Sequence, residues 1–395
     1  MKQSLVNRKI FRCCVAVVFL ALFVVVCIWA NSEWTESTIT DSSGIEYEIA
    51  RVDDILQSNT VSDESIEGRL RGSELLYVEI MTGRYAGTHT DVINYFSAMY
   101  SVDVEVGDTL SVRIDTTGVG EFEVSVYNYN RVPWIITFMV LFALALILIG
   151  GWQGIRAILG LAFTFISIVY LLLPLVLRGW SSVPLTIAIV GITSAVSYYL
   201  LGGWQPKTLG AALGCFCGVA AAALLGNLAI RLVHISAYQM DEAEGLILAR
   251  GDTGLKLEGL LLSSILIASE GAVMDIAMSV ASAMSELKLK RPDIGTRDLF
   301  WSGMHIGRDA TGTMANTLVL AFAGASLNMM ILIYSYRVSF NQLMNTDFIA
   351  VEVVRGVAGS MGIILTVPAV SIITAYLLTH MDKSDENPEA LKINK

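Results

Sequence analysis

Long, almost uncharged apolar runs constrain this chain more than any other feature. Eight occur, at Cys13–Ala30, Trp134–Gly151, Ala157–Leu177, Val183–Leu201, Thr208–Ile230, Leu257–Ala283, Ser302–Tyr334 and Ile349–Thr379. Runs of this length, about 20 residues as helix, cross a hydrocarbon core of about 30 Å. Hydrophobic residues make up 54% of the chain and charged residues 16%, against about a quarter charged in a soluble domain. That excess is too large for a globular core alone. The predicted fold is mainly α, a polytopic helical membrane bundle of about eight spans, with a small extracytoplasmic β domain between spans one and two.

Four regions follow from this pattern. Residues 1–30 read as a signal-anchor span, 31–132 as an extracytoplasmic β-rich domain, 133–380 as a seven-span bundle and 381–395 as a cytoplasmic tail. Lys2, Arg8, Lys9 and Arg12 precede the first run, as in a signal peptide or anchor. No small-x-small cleavage site closes that run, so an uncleaved span is expected. Alternating the spans puts Arg156, Lys207, the Lys288/Lys290/Arg291/Arg297 group and Lys383, Lys392 and Lys395 on the side of the N-terminus. The positive-inside rule then places both termini in the cytoplasm. Trp134, Trp152, Trp180, Trp204 and Trp301 fall at span ends, as an interfacial aromatic belt requires.

The net charge of −10 gives no basic face for nucleic acid, which is excluded as a partner. Cys13, Cys14, Cys27, Cys215 and Cys217 all lie inside apolar runs and imply no disulfide framework in the outer domain. They read as packing residues rather than a Cys-x-Cys metal site. Within 31–132, apolar and polar residues alternate through Ile45–Val52, Leu75–Met81, Thr109–Ile114 and Phe122–Tyr127. This predicts four or five short antiparallel strands, closing a small barrel, with the OB type one choice among β architectures. No Cys/His cluster and no nucleophile with a base is visible there, so it reads as a cap or assembly surface rather than a ligand-binding module.

Ionisable groups at membrane depth cost several kcal/mol on insertion scales and are functional candidates. In the sixth span, Gly271, Asp275, Ser279, Ser282 and Glu286 recur at steps of four and three and share a helix face. Glu270 lies beside them. In the seventh, His305, Asp309, Gly312 or Thr313, and Asn316 repeat at the same steps, with Arg308 alongside. The two stripes are expected to face each other, Arg308 neutralising Asp309 or Asp275. Glu352 and Arg355 in the eighth span are three apart and can pair, and Gly356, Gly359 and Gly362 permit close helix contact. The seventh run is long for one straight span, and Gly324-Ala325-Ser326 interrupts it, which fits either a broken helix or a tilted one. Between the fifth and sixth spans, Asp241-Glu242-Ala243-Glu244 before Gly245-Leu246-Ile247-Leu248 predicts a short amphipathic helix.

The segments Asp241-Glu242-Ala243-Glu244, Gly271-Ala272-Val273-Met274-Asp275-Ile276-Ala277-Met278-Ser279 and Gly307-Arg308-Asp309-Ala310-Thr311-Gly312-Thr313-Met314-Ala315-Asn316-Thr317-Leu318 resemble those of the YibE/F family of bacterial membrane proteins. Gly150-Gly151-Trp152 and Pro206-Lys207-Thr208-Leu209 also fit, and the resemblance runs from about residue 45 to 380. It implies a membrane protein and assigns no activity. His305 stands where the family pattern expects Asn, and Asn328 where it expects Pro.

The expected function is a gradient-driven transporter or permease in the cell membrane, its acidic site lying between spans six and seven. Asp275 and Asp309 would be the cation or proton sites, Arg308 would tune their charge, and Asn316, Glu270, Ser279 and Thr313 would contribute polar groups. The alternative is a non-transporting envelope scaffold that anchors the outer domain. An intramembrane enzyme is not expected, because no His-Glu-x-x-His or Gly-x-Ser-x-Gly motif occurs. His305 and Asp309 are weak metal candidates, with Asp275 as a third ligand such a site could draw on. No cofactor is expected, and no Gly-x-x-x-x-Gly-Lys loop is present, so transport would draw on a gradient or a partner ATPase. Membrane lipid and a small cation or proton are the expected partners, with a homo-oligomer or a membrane partner left open.

Overall fold

The computed structural model describes residues 18, 20–32, 44–63, 66–97, 101–116, 122–240, 243–250 and 254–380. Outside them lie Lys2, Arg8, Lys9, Arg12, Cys13, Cys14, Asp241, Glu242 and the tail 381–395. The chain divides into two compact units, Glu36–Ala145 and a second made of Met1–Thr35 with Leu146–Lys395.

In the first unit, β1 (Ile45–Ser62), β2 (Leu70–Ile80), β3 (His89–Phe96), β4 (Thr109–Asp115) and β5 (Glu123–Tyr129) close a barrel in the order β1-β2-β3-β5-β4. All neighbours are antiparallel except β3 and β5, which meet in parallel at Ile93↔Ser125. The long β1 serves two partners, pairing with β4 over Ile45–Arg51 and with β2 from Ala50 onward. Register shifts at Val52/Asp54 and Ile55/Gln57 supply the bend that lets one strand turn from one neighbour to the other. Alternate residues such as Val52, Leu76, Val78, Leu110 and Val112 fill the core, as the period-two reading requires.

The strand missing from the predicted set is β3. Its inward positions are Val92, Asn94 and Phe96, while Ile93 and Tyr95 point outward. Polar Asn94 is tolerated inside because its Nδ2 donates to the Val102 carbonyl at 2.7 Å. A buried amide flanked by exposed apolar residues cancels the alternation.

The second unit is helical. The apolar α1 (Leu20–Asn31) packs Phe23 on Phe163 with ring centroids 4.7 Å apart, and Asn31 Nδ2 donates to the Tyr170 carbonyl at 2.8 Å. Next comes α2 (Val132–Ser167), of which residues 132–145 belong to the first unit and the remainder to this one, with a π-helical turn at Ile168–Leu172 and α3 (Leu173–Leu177) continuing it. Gly151 interrupts α2 with φ 54° and ψ −130°, values an L side chain rarely adopts. A Cβ on Gly154 would lie 2.1 Å from the Leu146 carbonyl oxygen, so the chain doubles back at Gly151. Only glycine leaves room for that return.

The remaining helices are α4 (Ser182–Gly202), α5 (Pro206–Leu232), α6 (Ala243–Arg250), α7 (Leu260–Lys290), α8 (Thr296–Ala325), α9 (Leu327–Ser335), α10 (Phe340–Met344) and α11 (Asp347–His380). The predicted short helix between the fifth and sixth spans is α6. Among the described residues, five helical stretches are long and apolar enough to cross a membrane, one of them the 46-residue Val132–Leu177. The pair α8–α9, bent by 61°, makes a sixth. The bend falls at Ser326, where the sequence is interrupted, so a broken helix rather than a tilted one is formed.

The centre of this unit is an antiparallel pairing of α5 with α11. Added Cβ atoms on Gly210, Gly214 and Gly218 would strike Thr374, Val370 and Thr366 in turn, and one on Gly362 would strike Ala222. Small residues every fourth position let the two backbones approach closely, which is how helices associate where no hydrophobic effect separates helix from solvent.

Candidate functional site

Helix α7 buries Val273, Ile276, Ala277, Val280 and Met284 against its neighbours. Its opposite side carries Gly271, Asp275, Ser279 and Glu286, all exposed, with Ser282 half-buried. Helix α8 is built the same way. Leu299, Gly303, Gly307 and Leu318 face inward: Gly303 abuts Met284 and Ser371, Gly307 abuts Val367, and Leu318 sits over Gly359. The outward side holds His305, Arg308, Asp309, Gly312, Thr313 and Asn316. Packing on α11 and α7 through the glycine face thus turns the polar stripe away from the core.

The two stripes lie on the open sides of adjoining helices, and the expected ion pairing is not made. Among the described residues, Asp275, Arg308, Asp309, His305, Asn316 and Ser279 have no hydrogen-bond or ion-pair partner. Thr313 bonds only its own helix, donating to the Ala310 carbonyl at 2.9 Å. Arg308 cannot satisfy Asp309, because consecutive helix positions diverge and do not face one another. Nor do His305 and Asp309 gather a third ligand: among the described residues, the one trio of His and acid ligand atoms lying within 4.8 Å of one another is elsewhere, on the barrel.

Glu270 behaves differently from its neighbours on α7. It is 4% exposed and accepts hydrogen bonds from Thr193 Oγ1 at 2.7 Å and Ser194 Oγ at 3.1 Å, both on α4. Cys215 of α5 donates its thiol to Ser194 Oγ at 3.7 Å, and Tyr198 on α4 bonds the Met274 carbonyl at 2.9 Å. The group ties α4, α5 and α7 together without a cation. Sequence reasoning missed Thr193 and Ser194, whose only signal is a polar pair inside an apolar run. Cys217, two positions from Cys215, is exposed, so the helix separates the two thiols and they cannot share a metal.

Glu352 and Arg355 pair as expected, at 3.4 Å. Ser326 joins them, donating to Glu352 Oε1 at 2.5 Å. The break between α8 and α9 is therefore held from α11 by a carboxylate, a link the sequence does not reveal because the partners stand 26 positions apart.

The barrel carries a cluster that the sequence reading did not find. Arg51↔Glu79 and Glu79↔His89 are cross-strand neighbours on β1, β2 and β3. The bulge at Asp53 leaves that residue without a register partner and aims its carboxylate into the same row. His89 Nδ1 lies 3.1 Å from Asp53 Oδ2, and the His89 ring stacks on Tyr77. Arg51 reaches Asp53 at 3.1 Å and Glu79 at 2.5 Å, so a guanidinium takes the place that a metal ion would need.

Comparison with curated proteins and with solved structures finds no match. A family model described as YibE/F-like protein matches residues 138–380, which include all of the helices that carry the polar stripes, the Glu270 group and the Glu352–Arg355 pair. That match spans more than half of the chain, and the protein belongs to the YibE/F-like family.

Proposed function

We propose that this protein is a gradient-driven permease for a cation or for protons, embedded in the cell membrane by eight crossings with both termini cytoplasmic. On this reading α1, the two arms of α2–α3 on either side of Gly151, α4, α5, α7, the broken α8–α9 and α11 each cross once. The barrel stands outside, and its strand order β1-β2-β3-β5-β4 supports an OB-type architecture. No catalytic step is assigned.

One observation carries the transport reading: Asp275, Arg308 and Asp309 sit near the middle of α7 and α8 with no hydrogen-bond or ion-pair partner among the described residues. Charges held at that depth mark ion or proton pathways far more readily than packing, for which apolar residues suffice. The break at Ser326 adds support, because discontinuous helices free backbone groups to meet an ion. Replacing Asp275 and Asp309 with Asn in reconstituted vesicles should abolish dye-reported proton or cation flux while the protein remains monodisperse. Undiminished flux in the double variant overturns the assignment.

A second reading, a non-transporting scaffold, draws on the barrel. Tyr47, Tyr95 and Tyr127 keep 56%, 70% and 59% of their surface exposed, and such aromatics suit contact with another envelope component. Loss of function on deleting the barrel, with the aspartate variants silent, would favour that reading over the permease.

A further inference from the structure

We propose that the polar face of α7 and α8 is the contact surface for a second copy of this chain, so that the acidic site lies at the junction of two protomers. The inference rests on the reading of α7 and α8 as membrane crossings, and it deepens the permease assignment. Asp275 is at the midpoint of α7 (Leu260–Lys290), and Arg308 and Asp309 are near that of α8 (Thr296–Ala325). At 1.5 Å per residue they stand about 20 Å from the helix ends, too deep for a side chain to snorkel to water. They are exposed on the single chain. Something other than lipid must cover them.

Two further features identify the cover. The glycines on the packed face of α8 are filled by this chain, Gly303 by Met284 and Ser371 and Gly307 by Val367. Those on the polar face are not: a Cβ on Gly271 or Gly312 would meet nothing within 4 Å, leaving room for another helix to approach closely. The charges are also complementary to themselves. Both copies insert in the same orientation, so a twofold axis runs along the membrane normal and residues of equal height meet. Arg308 of one copy then comes opposite Asp309 of the other, and the pair occurs twice in an isologous contact. A foreign partner would have to bring its own matching charges, whereas a second copy already carries them.

The test uses the full chain in lipid vesicles, with subunit number read by single-molecule photobleaching. Arg308→Asp alone sets acid against acid and Asp309→Arg alone sets cation against cation, and each should weaken dimerisation about tenfold or more, equivalent to about 1.4 kcal/mol. The exchange of both charges in one chain should restore it. A photoreactive amino acid at Gly312 of the otherwise unaltered chain should cross-link two copies, while the same group at the exposed Leu148 should not; this arm decides the matter if a charge variant fails to fold. A monomer at every protein-to-lipid ratio, or dimers indifferent to the single exchanges, overturns the proposal. Flux is a separate readout. Dimers that conduct nothing sink the permease and leave the interface standing, whereas flux from vesicles holding single copies sinks the interface and leaves the permease.

Discussion

The barrel and the helical unit treat charge in opposite ways. On the barrel, where water would tolerate a lone charge at little cost, Arg51 reaches both Asp53 and Glu79, Arg71 pairs with Asp63, and Arg113 pairs with Asp115. On α7 and α8, where the proposed lipid surroundings make isolation costly, Asp275, Arg308 and Asp309 stand without hydrogen-bond or ion-pair partners among the described residues. Several barrel charges thus meet opposite charges within one chain, whereas among the described residues those on the polar face of α7 and α8 do not. An ion path, a second copy, or both together would complete that face.

The two regions also differ in packing, and a change there should have the largest effect. Barrel positions alternate and tolerate exchange of similar volumes, whereas α5 and α11 touch through glycine. Gly214→Leu would drive a side chain into Val370, whose Cβ lies 2.6 Å from the added Cβ. The cost should reach about 3 kcal/mol, at the upper end of overpacking, and appear as loss of the monodisperse protein in size-exclusion chromatography. Normal behaviour of that variant would mean that α5 and α11 do not approach as described.

A smaller effect should separate Glu270 from the outer-face carboxylates. Glu270→Leu takes the acceptor from the Ser194 hydroxyl, while Thr193 keeps the Ile189 and Val190 carbonyls at 2.9 and 3.0 Å; it should lower stability by about 1–2 kcal/mol, read as a reduced melting temperature in detergent. Asp275→Leu leaves no such groups unpaired among the described residues and should lower it less. Equal losses would erase the distinction between a structural acid and a functional one. The smallest effect belongs to the barrel. Arg51→Ala removes two ion pairs of a half-exposed arginine, its side chain 43% exposed, and should cost about 0.5–1 kcal/mol at low salt, measurable as a slight shift of the same transition. A drop of several kcal/mol would show that the Arg51 cluster holds the barrel together.

How much of this was legible in the sequence varies with the range of the contact. Period-two alternation exposed β1, β2, β4 and β5, because each buries one apolar face; β3 stayed hidden because Asn94 turns in and Ile93 and Tyr95 turn out. Helical stepping identified the stripe of Asp275 and Ser279 and that of His305, Arg308 and Asp309, but not which way they face. That direction is set by the other side of each helix, where Gly303, Gly307 and Leu318 fit α11 and Met284. Such fits depend on partners some 60 positions distant, as Gly307 on Val367 is, and no local pattern reports them. For the same reason the trio Asp53, Glu79 and His89, the Thr193–Glu270 bond and the Ser326–Glu352 link became visible only once the strands and helices were assembled. The α5 glycine repeat at 210, 214, 218 and 226 was open to inspection, and its meaning needed only the rule that small residues at every fourth position let helices close together.

The central claim is that the polar face of α7 and α8 encloses a wet or ion-bearing space. A density map of the full chain in a lipid nanodisc tests it most directly. Water or ion density is expected beside Asp275 and Asp309, enclosed between two copies related by a twofold axis. Acyl-chain density packed against those carboxylates on a solitary protomer would contradict it.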